Sequence, residues 1–156
     1  ELKQDREFVL RAVEFDACAL QDAAENLRTD ASFVLSAVAL NGYALSCAAP
    51  SLLADRNFVM SAVKADGRSL SGAPDALKND KQLVLMAVNA RGDALLHASE
   101  EMRASKDVVL AAVELWGPAL RYAADSLKAD RDVVLAAVRT WGLALQYAAE
   151  PFRADR

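Results

Sequence analysis

A single histidine, His97, and two cysteines, Cys18 and Cys47, are the obvious candidates for metal ligation in this sequence. One imidazole cannot serve a site that needs two, and the cysteines form no CxxC pair, so no metal site is expected. No GxSxG, GxxxxGK or GxGxxG motif occurs to place a nucleophile or cradle a phosphate. Carboxylates are abundant, yet most have a local partner. Glu25/Arg28, Asp75/Lys78, Glu100/Arg103, Asp125/Lys128 and Glu150/Arg153 are oppositely charged pairs three residues apart, the spacing of surface ion pairs on a helix rather than of an acid–base couple. The basic residues fall into two rows: Arg6, Arg56, Lys81, Lys106, Arg131 and Arg156, and Arg28, Lys78, Arg103, Lys128 and Arg153. A regular row of cations could track phosphates, but acids sit beside the rungs, as Asp130 and Asp132 flank Arg131, so both rows are expected to be solvated, salt-bridged edges. These residues point to no enzyme and no cofactor.

The rows exist because the sequence repeats every 25 residues. "DRDVVLAAVRTWGLALQYAAE" from Asp130 is preceded by "SKDVVLAAVELWGPALRYAAD" from Ser105 and "DKQLVLMAVNARGDALLHASE" from Asp80, and further copies start at Asp55, Asp30 and Asp5 without insertion or deletion. A fixed period of this length is the signature of stacked supersecondary units. Each copy opens on an N-cap residue, Asp5, Asp30, Asp55, Asp80, Ser105 or Asp130. Val9, Ala12 and Val13 and their equivalents, at i, i+3 and i+4 spacing, then mark the buried face of a first helix. Phe8 and Leu10, or Val133 and Leu135 in the last copy, should widen that face. Gly42, Gly67, Gly92, Gly117 and Gly142 are expected to end the helix in the left-handed conformation; copy one has Ala17. A second helix carries Leu20 and Ala23 and their counterparts, and Pro50, Pro74 and Pro151 limit it to about two turns. A single turn follows, closed by an apolar anchor: Leu27, Leu52, Leu77, Met102, Leu127 or Phe152. Such short helices are unstable alone in water, so neighbouring copies must cover each other.

Composition fits an interaction module. A formal net charge of −4, from 18 basic and 22 acidic residues, argues against nucleic acid and favours protein partners. No apolar run reaches the ~18 residues of a membrane span, and Cys18 and Cys47 are expected as free thiols in an intracellular, soluble or peripheral protein. Specificity should lie where copies differ. The place before the Gly runs Asp16, Asn41, Asp66, Arg91, Trp116, Trp141, and the place five after it runs Asp22, Cys47, Gly72, His97, Tyr122, Tyr147. Both turn aromatic in the last two copies. The expected contact surface comprises Tyr122, Tyr147, Trp116, Trp141, Arg121 and Arg139, with His97 at its edge. Core packing is the competing role for the four aromatic residues.

The pattern D-[KR]-x-VVLAAV-x-x-x-G-x-AL-x-Y-A-x-x-x-L-[KR] resembles the helical repeats known as domain of unknown function 4116. That resemblance implies multi-copy arrays and no assigned activity. The expectation is therefore an all-α, right-handed-type α-solenoid of six 25-residue two-helix repeats (5–29, 30–54, 55–79, 80–104, 105–129, 130–154) in one array. "ELKQ" and Asp155-Arg156 match the last and first places of further copies, as in a window of a longer array. The expected role is a non-catalytic scaffold for protein–protein interaction, the alternative being an accessory subunit that stabilises a large, possibly organellar, multiprotein complex. Val84→Asp should cost ~3 kcal/mol or more by burying an unpaired charge, and Gln82→Asp almost nothing. Circular-dichroism melts compare them, and equal midpoints would refute the assigned helical face.

Overall fold

The structure is a computed structural model that describes residues 2–153. It divides into two compact units, Glu1–Leu77 and Lys78–Arg156. The last residue of the sixth repeat, Ala154, and the last rung of the first basic row, Arg156, lie outside the described residues. Each unit is a stack of helical repeats, the all-α solenoid class expected.

Ten-residue α-helices carry the valine stripe: Arg6–Phe15, Ala31–Leu40 and Arg56–Ala65 in the first unit, Lys81–Ala90, Lys106–Leu115 and Arg131–Thr140 in the second. The N-cap carboxylate begins five of them; Asp30 Oδ1, for example, accepts from the backbone N–H of Ser32 at 2.9 Å and Phe33 at 3.0 Å. Ser105 sits at the same place but makes no side-chain cap bond, so stacking sustains that helix without it. Val13, Val34, Val38, Val59 and Val63 in the first unit and Val84, Val88, Val109 and Val113 in the second have no exposed surface. Gln82 is exposed, as the helical-face assignment requires. The widened face holds at Phe33, Phe58, Leu83, Val108 and Val133, which are buried, but Phe8 and Leu135 are 48% and 40% exposed. The anchors Leu27, Met102 and Leu127 are buried.

The second element is not an α-helix. It is a six-residue 3-10 helix: Ala17–Asp22, Gly42–Cys47 and Gly67–Gly72 in the first unit, Gly92–His97, Gly117–Tyr122 and Gly142–Tyr147 in the second. With three residues per turn, Leu20 and Ala23 eclipse on one side, and the Ala23 N–H donates to the Leu20 carbonyl at 3.2 Å. A run this long is uncommon; here the segments pack on one another within each unit while the long helices pack in a second layer. One-turn α-helices such as Glu25–Arg28 and Asp125–Lys128 complete the repeats.

The glycines also act differently from the expectation. None has positive φ. The long helix ends on the preceding residue in extended conformation, with φ from −141° at Asp16 to −154° at Trp141. What the glycines supply is room. A Cβ on Gly42 would lie 2.7 Å from Asp66 Cγ, one on Gly92 2.7 Å from Trp116 Cβ, and one on Gly117 2.5 Å from the Ala137 carbonyl oxygen and 2.6 Å from Thr140 Oγ1. In each case the obstacle belongs to the next repeat. On Gly142 a Cβ would meet nothing within 4 Å.

Backbone bonds tie the repeats together inside each unit. The N–H of Ala24 and Ala49 donate to the carbonyls of Lys3 and Arg28, and those of Ser99, Ala124 and Ala149 to Lys78, Arg103 and Lys128, at 2.8–3.2 Å. Asn41 Nδ2 donates to the Val13 carbonyl at 3.2 Å and Thr140 Oγ1 to the Val113 carbonyl at 2.9 Å, covering orphan acceptors at the end of the preceding long helix.

The close approach predicts the outcome of adding a methyl group at this place. Gly92→Ala and Gly117→Ala should each destabilise the protein by about 1–3 kcal/mol through overpacking against the next repeat. Urea unfolding curves of the two variants against wild type give the comparison; no loss, or the gain of up to about 1 kcal/mol that an unobstructed Gly→Ala change brings through the unfolded chain, would show that the place has room for a Cβ.

Candidate functional site

The aromatic places of the last two copies come together in the second unit. Trp116 and Tyr122 stack with ring centroids 6.4 Å apart at 28°, and Trp141 and Tyr147 lie 6.1 Å apart at 32°. The pairing follows from the repeat: Trp caps the long helix and Tyr ends the 3-10 helix six residues on, so both project from one edge. The Arg121 guanidinium lies 5.1 Å from the Tyr122 centroid and 5.8 Å from that of Tyr147, bridging the two copies through cation–π contacts. Trp116 is 36% exposed, and Trp141, Tyr122 and Tyr147 are half-buried. Their backbones and Cβ atoms are part of the stack, since Trp116 and Trp141 abut Gly92 and Gly117, while parts of their rings remain accessible. A cavity of about 350 Å³ is lined by Leu115, Trp116, Gly117, Pro118, Thr140 and Trp141.

The other expected contact residues are placed less centrally. Arg139 is exposed on its long helix, and its side chain makes no ion pair, hydrogen bond or ring contact among the described residues. His97 ends the 3-10 helix of copy four, at the place of Tyr122 and Tyr147. It is half-buried; desolvation lowers its pKa first, Lys78 lowers it further and Asp93 opposes them, so it favours the neutral imidazole.

Two features went unread in the sequence. The place two before the glycine carries exposed apolar side chains, Phe15 at 88% and Leu40 at 46% in the first unit and Leu115 at 54% in the second. Its copy-to-copy variation (Phe15, Leu40, Ala65, Ala90, Leu115, Thr140) was the available signal. The place just before the glycine, treated as free to vary for recognition, has a structural task in the first unit: Asp16, Asn41 and Asp66 each accept a bond from the backbone N–H two residues on. Arg91, Trp116 and Trp141 make no such bond, so in the second unit the place is released from capping.

The charged rows also separate. Rungs of the first row pair with N-terminal acids of the next repeat: Arg6 with Asp30 at 2.7 Å, Lys81 with Asp107 at 2.6 Å, and Lys106 with Asp130 and Asp132 at 2.8 and 2.9 Å. The neutralising acid is therefore across the repeat junction, not beside the cation in sequence. In the second row Lys128 pairs with Asp125 at 3.1 Å and Arg153 with Glu150. The expected pairs Glu25/Arg28 and Glu100/Arg103 do not form, and the Nε atoms of Arg28 and Arg103 are buried without a hydrogen-bond partner. Cys18 is exposed and Cys47 buried, both free. They are not remote, however: the Cys47 thiol, followed by Asp16, pushes the Cys18 thiol up from its ordinary value.

Among the described residues no group of three or more His, Cys, Asp or Glu could hold a metal ion, and no helix is long and apolar enough to cross a membrane. The repeat pattern matches the family described as "Domain of unknown function (DUF4116)" over residues 5–53, 55–103 and 105–153. The chain belongs to this family. Successive matches start 50 residues apart, so one family unit spans two of the 25-residue copies. No curated protein and no solved structure matches the chain.

The junction ion pairs make a pH prediction. Arg6, then the Ser32 hydroxyl and the Phe33 N–H, hold the Asp30 carboxyl well below the usual carboxylate range. A depressed folded pKa gives stability that is complete above the unfolded value of about 4 and lost as pH falls through the folded one. Asp30→Asn keeps an N-cap oxygen but loses the ion pair, so it should melt below wild type at neutral pH, with the gap narrowing in acid. A gap that stays constant down to about pH 2 would contradict the assignment.

Proposed function

We propose that this chain is a non-catalytic scaffold whose second unit binds a protein partner along the Leu115–Trp116–Trp141 edge. The observation that carries the reading is the cavity between the two tryptophans, open beside exposed Leu115 and lined on one side by Pro118. Large rings held in place by their own stacking lose little freedom on binding, which is why Trp, Tyr and Arg dominate interface energetics. The partner is an apolar segment with acidic flanks, because Arg121 and Arg139 carry positive charge with no carboxylate partner among the described residues. Stacking fixes the backbone, so recognition is carried by side chains already in register.

A photo-crosslinking amino acid at position 115, compared with one at exposed position 131, should join the full-length protein to an acidic, apolar partner only at 115. With that partner purified, Trp116→Ala, Tyr122→Ala and Tyr147→Ala should each weaken binding by ~1–2 kcal/mol. Equal crosslinking at both positions, or unchanged binding in all three variants with a lowered melting temperature, would make the aromatic cluster a packing feature and refute the reading.

A further inference from the structure

The second basic row contributes to an arrangement that shares Arg121 and Tyr122 with the aromatic edge. A polar cavity of about 440 Å³ lies between the one-turn helices of copies four and five, and Arg103, Arg121, Tyr122 and Lys128 line it together with Glu100 and Asp125. Two of its three cations are uncommitted. Arg103 and Arg121 make no ion pair among the described residues, and the Arg103 Nε–H is sealed from solvent with no acceptor. The Nε–H is itself closed to a ligand, but the guanidinium it belongs to lines the cavity with its charge unneutralised, so the group gains from an anion there. Lys128 pairs with Asp125, but that carboxylate is 99% exposed, and a pair so open to water is weak and exchangeable. The Arg121 plane is held against Tyr122 and Tyr147, which orients its N–H groups without occupying them.

We propose that this cavity is a phosphate site, taking the dianion of a phosphate monoester on Arg103, Arg121 and Lys128. Guanidinium groups suit it because their planar donor sets bind tetrahedral oxyanions through paired hydrogen bonds. Three cations against two carboxylates leave the lining net positive, and the acid with no partner of its own, Glu100, limits affinity. The repeat supplies an internal control. In the first unit, Arg28 has the same buried, partnerless Nε, but Ser46, Cys47 and Leu53 stand where copy five has Arg121, Tyr122 and Lys128. One cation remains there, so the site is a property of copies four and five rather than of every junction. It does not depend on the scaffold reading, because the probe is inorganic phosphate and no protein partner takes part.

The test follows the arginine Nε–H signals by 15N-correlation NMR during titration of the whole protein with inorganic phosphate at constant ionic strength. Saturable shifts are expected at Arg103 and Arg121, with none of comparable size at Arg28 or Arg131. Arg103→Met and Arg121→Met should each weaken binding about tenfold, and Glu100→Gln should strengthen it, with melting temperatures near wild type. A phosphoserine peptide that binds more tightly than inorganic phosphate assigns the natural source to a phosphorylated partner; one that binds no more tightly assigns it to small phosphorylated molecules. Non-saturable shifts, equal shifts at Arg131, or the same response to acetate would overturn the proposal, leaving only diffuse attraction of anions.

Discussion

Backbone-to-backbone approach between successive repeats is the constraint from which the rest of each unit follows. A Cβ on Gly72 would lie 2.8 Å from the Ser46 Cα, closer than packed atoms tolerate, so the two 3-10 segments meet through their main chains. Gly72 permits that contact between copies two and three, the other copies holding Asp22, Cys47, His97, Tyr122 or Tyr147 at its place, and small side chains such as Ala44, Ala48 and Ala73 line it, fully or nearly buried. The same proximity lets the Ala49 N–H reach the Arg28 carbonyl and the Asn41 side chain reach the end of the previous long helix. Short helices that would melt alone persist because each neighbour supplies both apolar cover and hydrogen-bond partners.

Once stacking fixes the spacing, electrostatics and recognition become questions of place. A basic residue at the start of one long helix faces the N-cap acid of the next, so Lys106 is pushed up and Asp130 down by the bond they share. At Arg6, Lys81 and Lys106 the field of the first row is neutralised within the protein. The second row sits at the end of the one-turn helix, where the carbonyls of Arg28, Lys78, Arg103 and Lys128 carry the backbone link to the next repeat, and the side chain of Arg103 keeps a buried Nε without a hydrogen-bond partner. Copies that put Arg121, Tyr122 and Lys128 around that side chain build a charged cavity, and copies with Ser46, Cys47 and Leu53 do not. Variation matters because the scaffold is constant.

Much of this is legible in the sequence. The period, the N-cap acids and the valine stripe place the long helices because each signal is local and repeated at every copy. The second element was less legible: Leu20 and Ala23, three residues apart, fit an α-turn and a 3-10 turn alike, and only the requirement for close main-chain packing selects the tighter helix. Glycine after a helix suggests a left-handed cap, yet its need for space arises from an atom 20 or more residues away, such as Ala137 O for Gly117. Tyr122 and Trp116 could be named as a pair from their shared drift to aromatic character. Their stacking, and Arg121 between the tyrosines, depend on the directions of the 3-10 helix. Exposed Phe15, Leu40 and Leu115 were missed because an apolar residue late in a helix reads as core when its period is not followed to the last turn.

If neighbours sustain each other through the main chain, the link amides must be as protected as the helix cores. Native-state hydrogen exchange on the intact protein measures this directly. The amides of Ala124 and Ala149, which bond to Arg103 and Lys128 across repeat junctions, should exchange as slowly as those of buried Val109 and Val134, through one shared opening of the unit. Loop-like exchange at Ala124 and Ala149, with Val109 and Val134 still protected, would show that the long helices hold without the junction, contradicting the account.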